Sequence, residues 1–100
     1  MYTATMDYPV KKGKEDEFIG IWDSEVLSLA KERDGFIRMQ LLKTSGRLLA
    51  IGTWKDQSYA EAFMQTGVFK ELLAQLGPLL EGDPKPTIWN QVLFSEACFN

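Results

Sequence analysis

Two strand-like runs, FIRMQLLKT at residues 36–44 and RLLAIGTWK at residues 47–55, are separated only by Ser45-Gly46. A two-residue link of that composition closes a tight hairpin, so the runs must pair antiparallel and fold as one unit. Whatever flanks them has to be arranged around that pair. Before the hairpin, residues 2–10 alternate Tyr2, Ala4, Met6 and Tyr8 against Thr3, Thr5 and Asp7, the period of a strand with one apolar face. Pro9 and the turn Lys11-Lys12-Gly13-Lys14 end that strand. The period then becomes helical over residues 15–33, with Phe18, Ile19, Trp22, Val26, Leu29 and Ala30 on one stripe and Glu15, Asp16 and Glu17 at the positive end of the helix dipole. Gly35 follows as a left-handed residue to close the helix.

After the hairpin, Asp56 or Ser58 is placed to cap a second helix over residues 57–81. It carries Ala60, Phe63, Met64, Phe69, Leu72, Leu73, Leu76 and Leu80. Gly67 predicts a break into two segments, and Pro78 predicts the end or a bend. Residues 82–86 read as a loop. Residues 87–96 alternate Ile88, Val92 and Phe94 against Trp89, Gln91 and Leu93, which predicts a fourth strand.

The order βαββαβ predicts an α+β, ferredoxin-like fold: a four-stranded antiparallel sheet with the first and third strands in the middle and two helices on one face. The 100 residues form a single domain, with a core over about 2–96 and a short tail at 97–100. Both faces of the expected sheet hold large apolar groups: Phe36 and Leu42 against Ile37, Met39 and Leu41, and Trp89 and Leu93 against Val92 and Phe94. Helices cover one face only, so a homodimer packed sheet against sheet is predicted.

Composition narrows the chemistry. A formal charge of −3 and a small basic cluster, Lys11, Lys12 and Lys14, cancelled by the acids that follow it, exclude nucleic acid as the expected partner. No apolar run reaches the ~20 residues of a membrane span, and no secretory signal is visible, so a cytoplasmic location is expected. The chain has no histidine and one cysteine. Histidine-based triads, histidine-ligated haem and ordinary zinc sites are thereby excluded. Cys98 reads as an incidental tail thiol.

With this order in place, the chain resembles the antibiotic biosynthesis monooxygenase (ABM) domain family of the dimeric α/β-barrel superfamily. The resemblance covers roughly Thr3 to Val92. It is carried by VKKGKEDEF at residues 10–18, by the step Asp34-Gly35-Phe36, and by the series Trp54-Lys55-Asp56, Ala60, Ala62-Phe63, Phe69 and Leu80. It implies a pocket between sheet and helices in which quinol oxygenases of the family oxidise phenols with O2 and no metal, flavin or haem. A phenolate can react with O2 directly when the protein shields it and stabilises its charge, so such a site needs orienting polar groups more than a cofactor. Haem-degrading members use an Asn, a Trp and a His. Thr5 and Asp7 on the first strand, and Phe63 and Leu73 on the second helix, do not reproduce that set.

On this reading the expected substrate is a small aromatic or quinol-like metabolite, no cofactor is needed, and the orienting residues are Trp54, Tyr59 and Asn90. Trp22, Phe63, Phe69 and Leu73 are expected to line the pocket. Trp54 would stand at its rim, Tyr59 would hydrogen-bond a phenolate, and Asn90 interrupts the apolar face of the last strand. Asp7 becomes a general base only if burial raises its pKa. Arg38 is expected to pair with an acid across the dimer. The alternative is a non-catalytic dimeric barrel that binds a small apolar ligand. An open cavity with converging polar groups distinguishes the first reading from a cavity filled by its own side chains.

Overall fold

The computed structural model describes residues 1–97. Its elements are β1 (Tyr2–Pro9), α1 (Glu15–Trp22) continued by a π-helical turn (Asp23–Leu27) and a short α2 (Ser28–Ala30), then β2 (Phe36–Thr44), β3 (Arg47–Trp54), α3 (Gln57–Met64), α4 (Val68–Leu76), a 3₁₀ turn (Gly77–Leu79) and β4 (Lys85–Asn90). The strands form one antiparallel sheet in the order β2-β3-β1-β4, with β1 and β3 central as the sequence predicts. The fold is ferredoxin-like. Cys98 and the last residues of the expected tail lie outside the described residues.

Register decides which side chains face the helices. Tyr2, Ala4, Met6 and Tyr8 of β1 stand opposite Trp54, Gly52, Ala50 and Leu48 of β3. That shared face meets α1, α3 and α4 in a core whose fully buried members include Phe18, Leu48, Leu72 and Leu76. The other face carries Thr3, Thr5 and Asp7, and there Thr3 Oγ1 and Thr53 Oγ1 lie 3.2 Å apart.

Four sequence expectations change. The last strand ends at Asn90 instead of residue 96, because β1 begins at Tyr2, directly opposite Asn90, and leaves no backbone for later residues to pair with. Residues 91–96 instead run back across the helix-free face, where Thr3 Oγ1 bonds Gln91 Oε1 at 3.2 Å and Arg38 pairs with Glu96 at 2.8 Å. The Arg38 guanidinium also lies over the Phe94 ring, 5.2 Å from its centre, so Arg38 has a partner within its own chain.

Secondly, a bulge between Phe36 and Arg38 shifts the register of β2. Phe36 therefore joins Met39 and Leu41 on the helix face, while Leu42 stays on the outer face opposite Leu49. Thirdly, the π turn inserts an extra residue into the first helix, and everything beyond it rotates back by one position. Leu29, read as buried, is 48% exposed, and Ala30 takes the fully buried place. Ser24 and Ser28 hold this turn, the Ser24 hydroxyl donating to the Ile21 carbonyl at 3.2 Å and the Ser28 hydroxyl to the Ser24 carbonyl. Lastly, the helix stops at Ala30, so Gly35 does not close it. Gly35 has φ +80° and begins the path into β2 with the side chain of Tyr59 packed where a Cβ would be.

The break at Gly67 is present, with φ +87° between α3 and α4. Asp56 caps α3, its carboxylate accepting from the Ser58 amide at 2.9 Å, and this bond and the one from the Ser58 hydroxyl hold its pKa below the usual carboxylate range. No helix among the described residues is long and apolar enough to cross a membrane.

Candidate functional site

A cavity of about 160 Å³ lies between the helix face of the sheet and α1, α3 and α4. Its existence follows from three small residues. Positions 4, 50 and 52 sit on the two central strands, where large β-branched side chains normally fill a core, and here they are Ala, Ala and Gly. Ala4 and Gly52 are directly opposite one another, so the floor is low across both strands. Gly52 is not there for its backbone; a glycine inside a strand marks a place where something approaches closely, and here Met39 Cε and the Trp54 nitrogen lie 3.4 and 3.5 Å from where a Cβ would stand.

The walls are aromatic. Trp54 meets Phe36 edge-on, with centroids 5.8 Å apart, and lies tilted over Phe63 at 5.4 Å. Phe63 in turn meets Phe69 edge-on at 5.5 Å. This chain of rings ties β2 and β3 to α3 and α4 and fixes the shape of one side. Trp22 and Val26, either side of the start of the π turn, supply the opposite wall. Met64 and the 66% exposed Ile88 stand at the mouth, since no helix covers β4.

The expected site residues divide. Trp54, Trp22, Phe63 and Phe69 all line the cavity. Leu73 does not; it is 49% exposed on the outer side of α4, where Leu72 and Leu76 take the buried stripe. Tyr59 is also outside, because its ring is used to pack against Gly35. Asn90 lies at the exposed end of β4 and is not part of the lining. Asp7 points to the outer face and takes a hydrogen bond from Arg47, Nε to Oδ1 at 3.2 Å. That hydrogen bond and the guanidinium charge hold its carboxyl below the usual range, the opposite of what a general base requires.

Tyr8 is the residue that sequence reading passes over. Counted there as one more apolar side chain of β1, it is 2% exposed and lines the cavity, with Phe18 edge-on behind its ring at 4.8 Å. Burial pushes its hydroxyl up to about 12, and the indole N–H of Trp22, donating toward the phenol oxygen, only partly offsets this. At neutral pH Tyr8 is therefore a protonated donor and not a base. The signal was present in the register: Tyr8 shares a face with Ala4, and a tyrosine beside a run of small residues has room to present its hydroxyl.

The other indoles differ in use. Trp89 donates to Thr5 Oγ1 at 2.8 Å on the outer face. The Trp54 nitrogen stands 3.5 Å from the place a Gly52 Cβ would occupy, over the cavity floor. The cavity thus offers N–H and O–H donors in an apolar chamber, and among the described residues its lining has no Asp, Glu, Lys or Arg. Nor do the described residues hold any group of three or more potential metal ligands.

The state of Tyr8 is measurable. Its raised value means that the folded protein keeps a proton which the unfolded chain loses near the ordinary value of 10.0. Stability from this source is complete below pH 10 and falls as pH rises toward 12, by about 2 to 3 kcal/mol in all. Phenolate absorbance should show one late-ionising tyrosine, and that step should vanish in Tyr8→Phe. A titration without a late step would show that the hydroxyl is solvated.

The model of the antibiotic biosynthesis monooxygenase family matches residues 1–75. No curated protein matches the sequence significantly. Among solved structures, Rv0793 from Mycobacterium tuberculosis superposes with a TM-score of 0.82 at 12% identity, over 95% of this chain and 98% of that one. SnoaB, a cofactor-independent oxygenase from Streptomyces nogalater, does so with a TM-score of 0.80 at 18% identity, over 93% and 94%. An uncharacterised NIPSNAP domain protein from Burkholderia xenovorans reaches 0.69 at 16% identity, over 97% and 100%. At such identities these structures speak for the fold, and it is the family match over three quarters of the sequence that makes this chain a member of the antibiotic biosynthesis monooxygenase family.

Proposed function

We propose that this protein is a cofactor-independent monooxygenase that oxidises a small aromatic, quinol-like metabolite with O2. The observation that carries this reading is the open apolar cavity with Tyr8, Trp22 and Trp54 converging on it. Oxygenation of a quinol takes four electrons from the substrate: two convert it to a quinone and two convert a ring C–H into C–OH. One oxygen atom of O2 enters the product and the other leaves as water. The protein's share is to bind the ring away from solvent and to place donors where charge develops on the substrate oxygen. Tyr8 donates to that oxygen, and Trp22 lines the same chamber. With no Asp, Glu, Lys or Arg among the described residues of the lining, the substrate must ionise readily by itself.

Oxygen uptake with a panel of hydroquinones and anthrones, after removal of metals, tests the reading. Tyr8→Phe is expected to lower turnover roughly a hundredfold, as loss of one oxyanion donor does elsewhere. Trp54→Phe lowers it less, and Asn90→Ala leaves it unchanged because that residue stands outside the cavity. Rates untouched by Tyr8→Phe and Trp54→Phe would overturn the assignment. The lack of Asp, Glu, Lys and Arg among the described residues of the lining favours a second reading, a barrel that binds its ligand without turning it over. Saturable binding without oxygen uptake for any substrate would establish it.

We also propose a homodimer packed through the helix-free face. That face exposes Leu42 and Trp89, and the segment crossing it presents Val92 and Leu93 almost fully to solvent. Apolar groups so placed are covered in an assembly. Light scattering at micromolar concentration should give twice the chain mass, and Trp89→Asp should shift it toward the monomer. A stable monomer of the unaltered chain would exclude this arrangement.

A further inference from the structure

The chain has four methionines, and three of them, Met6, Met39 and Met64, border the cavity. They are not equivalent. Met6 and Met39 stand on strands of the sheet and are partly buried against the core, with Met39 Cε 3.4 Å from the place a Gly52 Cβ would occupy. Met64 stands at the mouth and is 52% exposed. Met1, which is not part of the lining, is exposed to the same degree at 51%, so the molecule carries its own reference thioether.

Only Met64 combines free access from solvent with a place in the cavity wall. Its thioether is apolar and polarisable, and the flexible side chain can lie along an apolar rim. The backbone behind it is tied. Met64 is the last residue of α3, and Phe63 before it packs between Trp54 and Phe69 while its carbonyl accepts the Thr66 hydroxyl at 2.7 Å. A chemical change in the Met64 side chain is therefore felt at the entrance.

We propose that Met64 is an oxidation site that closes the cavity to apolar ligands, with hydrogen peroxide as the oxidant. The sulfur attacks one peroxide oxygen, so that an S–O bond forms as the O–O bond breaks. The proton on the transferred oxygen passes to the departing hydroxide, which leaves as water. Sulfur loses two electrons, peroxide gains them, and the product is methionine sulfoxide. A sulfoxide pressed against an apolar ligand without a hydrogen-bond partner is unfavourable, and among the described residues the lining has no Asp, Glu, Lys or Arg to serve it. It keeps its water instead, and that water stands in the entrance. Methionine sulfoxide reductases reverse the change. The inference rests on the cavity being a ligand site and is independent of the oxygenase chemistry.

Benzene is the probe, since apolar cavities of about 150 Å³ take it up. Its affinity is read by NMR titration of the full chain before and after limited peroxide treatment, with the sulfoxide at each methionine counted by peptide mass spectrometry. Met64 and Met1 are expected to oxidise together and ahead of Met6 and Met39. Benzene should bind roughly threefold to tenfold more weakly once Met64 is converted, and treatment with a sulfoxide reductase should restore the affinity. In Met64→Leu, which keeps Cys98 and the other methionines, the same peroxide treatment should leave the benzene affinity where it began. An equal loss in Met64→Leu, full affinity with Met64 converted, or Met64 oxidising no faster than Met6 and Met39 would overturn the inference and leave the cavity standing as a ligand site. No benzene binding by the untreated chain would overturn both.

Discussion

Gly35→Ala destabilises the protein by about 3 kcal/mol or more, far beyond the usual cost of a glycine substitution in a loop. Two effects combine. At φ +80° an L side chain is strained by roughly 1 to 2 kcal/mol. The new methyl would also fall within 2.6 Å of Tyr59 Cβ, overlapping a side chain anchored at the start of α3. Tyr59 cannot swing aside at its tip, because the overlap is at its root, so α3 itself must shift. Gly46→Ala supplies the control. Its φ is +72°, yet nothing lies within 4 Å of the added carbon, so only the conformational strain of about 1 kcal/mol applies. Urea unfolding of the two variants reads the difference directly. Equal losses would show that the Tyr59 contact carries no weight, and Tyr59→Ala, which removes the overlapping Cγ and Cδ2 but keeps Cβ, should recover part of the excess in the Gly35→Ala background.

Phe18→Ala should cost about 3 to 5 kcal/mol, the range for emptying a fully buried aromatic site. Phe18 is 0% exposed and lies edge-on against Tyr8. Its loss leaves a hole behind the residue that carries the cavity's hydroxyl. For a domain of this size the total stability is about 5 to 15 kcal/mol, so the variant approaches the unfolding threshold at room temperature. Leu73→Ala, which also takes apolar atoms from a helix, should cost less than about 1 kcal/mol, because half of that side chain is already in water. Thermal melts of the pair check both the size of the effect and the facing of α4. A Leu73→Ala loss as large as that of Phe18→Ala would mean that Leu73 does line the cavity.

The two predictions turn on residues whose character the sequence reveals and whose job it does not. Gly35 is legible as a left-handed residue. Sequence alone takes it for the end of the first helix, since nothing local shows that Tyr59, 24 positions later, will be laid on it. Trp22, Trp54, Phe63 and Phe69 are legible as large buried groups on periodic stripes, and they do surround the cavity. Tyr59 and Asn90 were chosen for their polar atoms at plausible positions, and both are turned to other surroundings. Leu73 fell on the wrong side because α4 begins afresh after Gly67, with its own rotation.

What the sequence by itself determined is the order of elements, the hairpin at Ser45-Gly46, the central places of β1 and β3 and the broken second helix. These follow from periods of 2 and 3.6 and from turn residues, which act over a few bonds. The tertiary structure alone decided where β4 stops, which way α2 faces after the π turn, and where Tyr8 puts its hydroxyl. The first and last depend on partners distant in the chain: Tyr2 sets the end of β4, and the opposition of Ala4 to Gly52 leaves the space above the sheet. A cavity is a place that side chains from several elements fail to fill, and no local pattern records that failure.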